Sequence, residues 1–171
     1  MNKNDILKFI DENFESYTEI SDKIWENPEL RFDLGYSADR LVEKLEEEGF
    51  TIQRDVADME DAFVATYGSG KPVIGFLGEY DALSNVSQVA DKLEKEELKP
   101  ECPGHGCGHH LLGVGSLLSA VAVKEYFKNN KLEGTIKYFG CPAEESGSGK
   151  AYMARAGIFD DSDSIITWHP M

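Results

Sequence analysis

Positive charge is scarce in this chain. Its 171 residues carry 17 Lys and Arg against 32 Asp and Glu, a formal charge of −15. Bulk electrostatics therefore argue against nucleic acid or an anionic membrane surface as a partner. Cysteine is sparse too: three residues, an odd number, give no disulfide framework. No apolar run approaches the ~20 residues that a membrane span needs. The N-terminal Met1-Asn2-Lys3-Asn4-Asp5 leads into an amphipathic pattern rather than the apolar stretch of a secretory signal. Internal repeats and low-complexity tracts are absent. The expectation is a soluble, cytoplasmic protein, with the 41% hydrophobic and 29% charged residues of an ordinary globular chain. Its length suits one domain spanning residues 1–171, with no second domain. The acidic runs at 46–48, 58–61 and 94–97 read as solvated faces and loops.

The apolar spacing organises the rest. Ile6, Phe9, Ile10, Phe14, Tyr17, Ile20 and Ile24 recur at helical intervals, so one or two helices should run from about Asp5 to Glu26 and stop before Asn27-Pro28. A second helix, capped by Ser37, carries Leu41, Val42 and Leu45 and ends at Gly49. Strands are expected over Thr51–Val56, Ala62–Tyr67 and Val73–Gly78, the last apolar throughout, as for a strand covered on both faces. Residues 84–106 form a long polar connection in which Asp91–Leu98 suggests a short exposed helix. Leu111–Phe127 is apolar nearly all round and should be a central helix. A strand at Thr135–Phe139, a helix at Lys150–Ala156 and a strand at Ser164–Thr167 complete an α/β layered pattern. In such sheets ligands gather beyond the carboxyl ends of the strands. Glu79-Tyr80-Asp81, Cys141 to Glu145 and Trp168-His169 all fall there.

The densest chemistry lies at Gly104-His105-Gly106-Cys107-Gly108-His109-His110, which holds three of the four histidines. Cys107 and His109 are donors suited to a borderline-soft divalent ion, just before a helix N-terminus whose dipole favours a thiolate. The plain alternative is a buried free cysteine beside a capping histidine. Glu144 and Glu145 follow a strand and precede a glycine-rich turn. One carboxylate there can ligate a metal while its neighbour serves as a general base; alternatively both face solvent. His169, after the last strand, reads either as a ligand or as a core or capping residue. Asp81 either orients a ligand from behind or caps the following turn. Gly147-Ser148-Gly149-Lys150 is not a phosphate loop, because Glu144 stands where its first glycine belongs and Ala151 replaces the required Ser/Thr. A small structural zinc knot built from Cys102, His105, Cys107 and His109 would explain that cluster alone. It leaves Glu144, Glu145 and His169 without a role.

Four signatures in order, Asn27-Pro28-Glu29-Leu30, Gly78 to Leu83, Gly104 to His109 and Pro142 to Glu145, resemble the M20 metallopeptidases. The likeness is to their amidohydrolase branch of aminobenzoyl-glutamate hydrolases, aminoacyl dipeptidases and auxin-conjugate hydrolases, and it covers essentially the whole chain. The resemblance implies a three-layer α/β/α zinc-peptidase-like catalytic domain. Here that domain is expected to be incomplete, an N-terminal half lacking the inserted dimerisation or lid domain. It implies two divalent metal ions, zinc or manganese, with Cys107, His109, Glu145 and His169 as ligands. Glu144 would be the general base and Asp81 a supporting carboxylate. Glu79 occupies the position of a metal-binding histidine in the peptidase branches and is expected to stay outside the metal's own shell, while His110 departs from the common pattern. The implied reaction is metal-dependent hydrolysis of the amide bond of an N-acyl- or aminoacyl-amino acid, a small-molecule substrate. The alternative is a truncated, inactive metal-binding fragment, or one half of a split enzyme. Partners would be the C-terminal half of the enzyme or a second copy of the chain.

Overall fold

The computed structural model describes residues 2–170. A single helix, α1 (Lys3–Glu26), opens the chain, followed by α2 (Gly35–Glu47), β1 (Thr51–Arg54), β2 (Phe63–Ser69) and β3 (Val73–Glu79). After a long excursion come α3 (His109–Asn130), β4 (Gly134–Cys141), the one-turn α4 (Glu144–Gly147), α5 (Gly149–Arg155) and β5 (Ser164–Ile166). The five strands form one mixed sheet in the order β1-β2-β4-β3-β5. Strand β4 slots between β2, to which it is antiparallel, and β3, to which it is parallel; β5 runs parallel to β3 at the edge. The β3–α3–β4 unit is thus a parallel crossover, the kind of connection that carries its helix onto a sheet face.

Alternation along the strands divides the core in two. Ile74, Phe76, Ile136 and Tyr138 point to a face covered by α1, α2 and α3. Leu77, Phe139, Cys141 and Val64 point to the other, where Met153 of α5, Val56 and Met59 cover them. This is the three-layer α/β/α arrangement, with a thick helical layer on one side and a thin one on the other. Helix α3 anchors the thick layer: Leu112, Leu117 and Val121 have no measurable exposure. Full burial of each stabilises by about 1.5–3 kcal/mol relative to leaving it in water.

Two local expectations fail for physical reasons. Residues 91–98 form turns rather than a helix. Asp91 sits at φ 59°, outside helical space, and Leu93 is fully exposed, so a helix there would bury nothing. Ser37 does not cap α2 but lies inside it, fully buried. The capping acceptor is instead the Glu29 carboxylate, which takes hydrogen bonds from the Tyr36 and Ser37 amides at 3.0 and 2.8 Å. An acid from the preceding segment therefore performs the work expected of a local hydroxyl, and a negative charge suits that helix end.

Candidate metal centre

The excursion after β3 returns to its origin. Leu83 and Gly104 exchange two backbone hydrogen bonds, both 3.0 Å, and so pin its two ends together. A side chain at position 104 would place its Cβ 2.6 Å from the Val86 carbonyl oxygen, so glycine is what permits the closure. This closure sets Asp81, just past β3, against Cys107 and His109. Gly108 turns through left-handed space at φ 72° and caps α3, so His109 is the first helical residue. The 168–170 segment is seated on the same helix by two more close approaches. A Cβ at Gly115 would lie 2.8 Å from the Trp168 ring, and one at Gly108 would lie 3.1 Å from the Pro170 ring.

His109 is the hub. Its Nδ1 lies 2.9 Å from Asp81 Oδ1 and 3.0 Å from the Asp81 carbonyl oxygen. Both partners only accept, so Nδ1 carries the proton and Nε2 turns its lone pair toward the cleft. The other carboxylate oxygen of Asp81 accepts from the Glu145 amide at 2.9 Å, tying the start of α4 to the start of α3. Around His109 Nε2 stand Glu79 Oε2 at 3.0 Å, His169 Nε2 at 3.3 Å, Glu144 Oε2 at 3.8 Å and Glu145 Oε1 at 3.9 Å. Donor atoms of Cys107, His109 and His169 lie within 4.8 Å of one another, as do those of Glu79, His109 and Glu144. All six residues expected at the site, Asp81, Cys107, His109, Glu144, Glu145 and His169, are thus brought to one cleft. Cys102 is not: it lines a separate cavity of about 600 Å³ with Trp25 and His105, between α1 and the excursion. That separation removes the basis for a four-residue zinc knot.

The protonation behaviour follows from this crowding. Burial opposes charge on His109, yet the Asp81 hydrogen bond and the carboxylates of Asp81, Glu79 and Glu145 outweigh it, and the ring titrates above the ordinary histidine value. The Cys107 thiol is pushed up to about 11, first by its hydrogen bond to Glu145, then by burial and the neighbouring acids. The helix dipole was expected to favour a thiolate; carboxylates at closer range win instead. Two buried carboxylate oxygens in the cleft, Glu79 Oε2 and Glu145 Oε1, have no hydrogen-bond partner among the described residues. Unpartnered buried acids, a thiol and an imidazole lone pair facing one another form a donor set that fits divalent cations of the zinc and manganese type.

Sequence reasoning missed two participants. Glu79, expected to stand apart, is only 6% exposed and is the nearest group to His109 Nε2. Lys150, read only as part of a failed phosphate loop, ion-pairs with the Glu79 Oε1 oxygen. No local signal announces that pair, because its members are 71 positions apart. His105 and His110 pack against each other with ring centroids 4.9 Å apart, and His105 Nε2 donates to the Ile24 carbonyl oxygen. They brace the loop from behind; burial first of all pushes both down to about 4.

A sequence profile of peptidase family M20/M25/M40 matches residues 75–170, more than half of the chain and all of the cleft. The chain belongs to this family. It is 47% identical over 170 residues to one of the subunits of p-aminobenzoyl-glutamate hydrolase from Escherichia coli K12, covering 97% of this chain and 35% of that protein. Hippurate hydrolase of Campylobacter jejuni is 29% identical, with 91% of this chain and 39% of that protein aligned. Among solved structures, the Bacillus subtilis YXEP protein, described as a dinuclear metal binding peptidase of the M20 family, superposes with a TM-score of 0.75 at 21% identity. That likeness of fold covers 92% of this chain and 43% of the other. The chain therefore spans only 35–43% of the length of these relatives.

Proposed function

We propose that residues 1–171 form the N-terminal portion of an M20-type catalytic domain that hydrolyses the amide bond of an N-acyl- or aminoacyl-amino acid, with an aminobenzoyl-glutamate-like compound or a dipeptide as substrate. The observation that carries this reading is the convergence of three carboxylates and a second imidazole on His109 Nε2, in a chain 47% identical to part of a p-aminobenzoyl-glutamate hydrolase. Cys107, His109, Glu145 and His169 would hold two divalent cations, zinc or manganese. Bound cations supply Lewis acidity, which polarises an amide carbonyl and makes a water acidic near neutrality.

The chain's own residues supply the rest. Glu144 opens α4 with its side chain 40% exposed, so it is the acid in the cleft that water and substrate reach most freely. Its carboxylate takes the proton from the attacking water as the water oxygen adds to the amide carbon. It returns that proton to the nitrogen as the C–N bond breaks. Asp81 fixes the His109 tautomer through Nδ1 and steadies Glu145 through its amide. The exposed apolar edge at Ile165, Ile166 and Trp168 is the surface we assign to a partner, either a polypeptide carrying the rest of the catalytic domain or a second copy of the chain. Three free cysteines accord with a reducing cytoplasm, and among the described residues no helix is long and apolar enough to cross a membrane.

The test is hydrolysis of p-aminobenzoyl-glutamate and of dipeptides by the zinc- or manganese-loaded chain, alone and mixed with a polypeptide matching the remainder of the E. coli relative. Glu144→Gln is expected to lower kcat by about 10²–10⁴-fold while metal binding persists. Metal binding without turnover in any mixture would leave an inactive metal-binding fragment as the reading.

A further inference from the structure

Two sets of three donor residues in the cleft share only His109, with Glu145 in neither. One set is Cys107, His109 and His169, rich in sulfur and nitrogen; the other is Glu79, His109 and Glu144, rich in oxygen. The second set contains the residue that sequence reasoning left out. Glu79 ends β3, the strand parallel to β4, and its side chain is 8% exposed. Its Oε1 is ion-paired to Lys150, which the glycine-rich turn before α5 delivers into the cleft. Its Oε2 is buried, has no hydrogen-bond partner among the described residues, and lies 3.0 Å from His109 Nε2. In the neutral ring the His109 proton is held to Asp81 on Nδ1, so two acceptors face each other at that distance until a second proton or a metal ion arrives. Two buried acceptors in contact repel unless a cation stands with them.

We propose that Glu79, oriented by Lys150, is a metal-facing carboxylate. Its free oxygen and His109, with the Glu144 carboxylate beside them left to act as the base, line an oxygen-rich position for a hard divalent cation such as Mn²⁺, distinct in chemistry from the sulfur-bearing position at Cys107. This rests on the metal-centre part of the function proposed above, but not on the reaction. Ligand softness gives the two positions different preferences: thiolate and imidazole favour Zn²⁺ and Cd²⁺, carboxylates favour Mn²⁺. Lys150 has a double effect. It holds the carboxylate in place, and its ammonium competes with the cation for the same negative charge.

The two positions have separate spectroscopic reporters. Cd²⁺ at Cys107 gives a thiolate charge-transfer band in the ultraviolet, and the fraction of Mn²⁺ bound is read from loss of the free-ion electron paramagnetic resonance signal. Titration of the 171-residue chain with each ion, without substrate, is the experiment. Glu79→Gln is expected to weaken Mn²⁺ binding tenfold or more while the Cd²⁺ band and its midpoint stay within twofold of the parent. Glu79→Asp, which keeps the charge, recovers part of the Mn²⁺ affinity. Lys150→Met removes the competing ammonium and is expected to tighten Mn²⁺ severalfold. Unchanged Mn²⁺ binding in Glu79→Gln would overturn the proposal. So would equal loss of both ions in Glu79→Gln and Lys150→Met, which would make the pair a structural strut. A parent chain that binds neither ion overturns the metal centre as a whole, whereas loss of turnover with these titrations intact bears on the reaction alone.

Discussion

Asp81→Asn separates the geometric reasoning about this cleft from a merely electrostatic one. The substitution keeps size and shape but leaves one acceptor oxygen where two were needed, since Asp81 accepts from His109 Nδ1 at 2.9 Å through one oxygen and from the Glu145 amide at 2.9 Å through the other. If the amide oxygen faces Glu145, the NH₂ group faces His109 Nδ1, which can satisfy it only by becoming an acceptor. Either the proton moves to Nε2 and the lone pair aimed at the cleft is lost, or it stays on Nδ1 against the Asp81 carbonyl oxygen at 3.0 Å and the NH₂ group is left facing it unsatisfied. If the amide is flipped, the NH₂ group meets the Glu145 amide donor and α4 loses its tether. Either way one hydrogen bond to a charged group goes, worth about 1.5–3 kcal/mol. Loss of such a supporting carboxylate typically weakens metal binding 10–100-fold, or about 1.4–2.8 kcal/mol, so the two routes agree. Competition of Zn²⁺ against a chromophoric chelator at pH 7, with circular dichroism as the folding control, measures it. A folded Asp81→Asn protein that binds Zn²⁺ within twofold of the parent would refute the claim that Asp81 sets the His109 tautomer.

Further predictions come from the packing behind the cleft. His105 and His110 titrate at about 4 in the folded chain against an ordinary 6.5, so between these values the unfolded chain binds more protons and stability falls as the pH drops. Full protonation costs on the order of 3 kcal/mol per ring, less than additively because the rings touch. Thermal melts from pH 7 to pH 4 should show this loss, and a slope no shallower in His110→Leu would contradict it. Gly113→Ala drives a Cβ to 2.6 Å from the Glu79 carbonyl oxygen, an immovable backbone group, and should cost about 1–3 kcal/mol by chemical denaturation. Gly115→Ala meets only the half-exposed Trp168 ring at 2.8 Å, so it should leave the melting temperature nearly unchanged while displacing His169 and weakening Cd²⁺ binding.

The fold class was legible because helical and strand periodicities alternate cleanly, and the five expected strands and four of the expected helices appear near their predicted places. The strand order was not. Inserting β4 between β2 and β3 depends on pairing partners some 60–75 positions away, such as Ala65 with Tyr138 and Phe76 with Tyr138, which no local pattern encodes. The side chains of the cleft were legible for a related reason. Each sits near a strand end or helix start, and Cys107 and His109 lie beside glycines, so its position could be read without knowing its neighbours. Glu79 and Lys150 show the limit. Their pairing exists only because the end of β3 and the start of α5 meet above the sheet.

The glycines and the acids of this cleft make one argument. Gly113 and Gly115 each cost α3 roughly 1 kcal/mol of helix propensity relative to alanine. Yet they let the helix settle against the Glu79 backbone and accept Trp168 on its surface. That approach brings Glu79 Oε2 to 3.0 Å and His169 Nε2 to 3.3 Å from the same His109 nitrogen. The same approach forces buried carboxylates together, an arrangement that repels unless a cation joins it. A proton on His109 partly meets that need, which is why its affinity for protons rises despite burial. Metal binding therefore has to displace protons from His109 and from the Cys107 thiol, and both affinities should strengthen with rising pH. A cleft built only to position a structural histidine would have no reason to gather so many acids around its one free nitrogen.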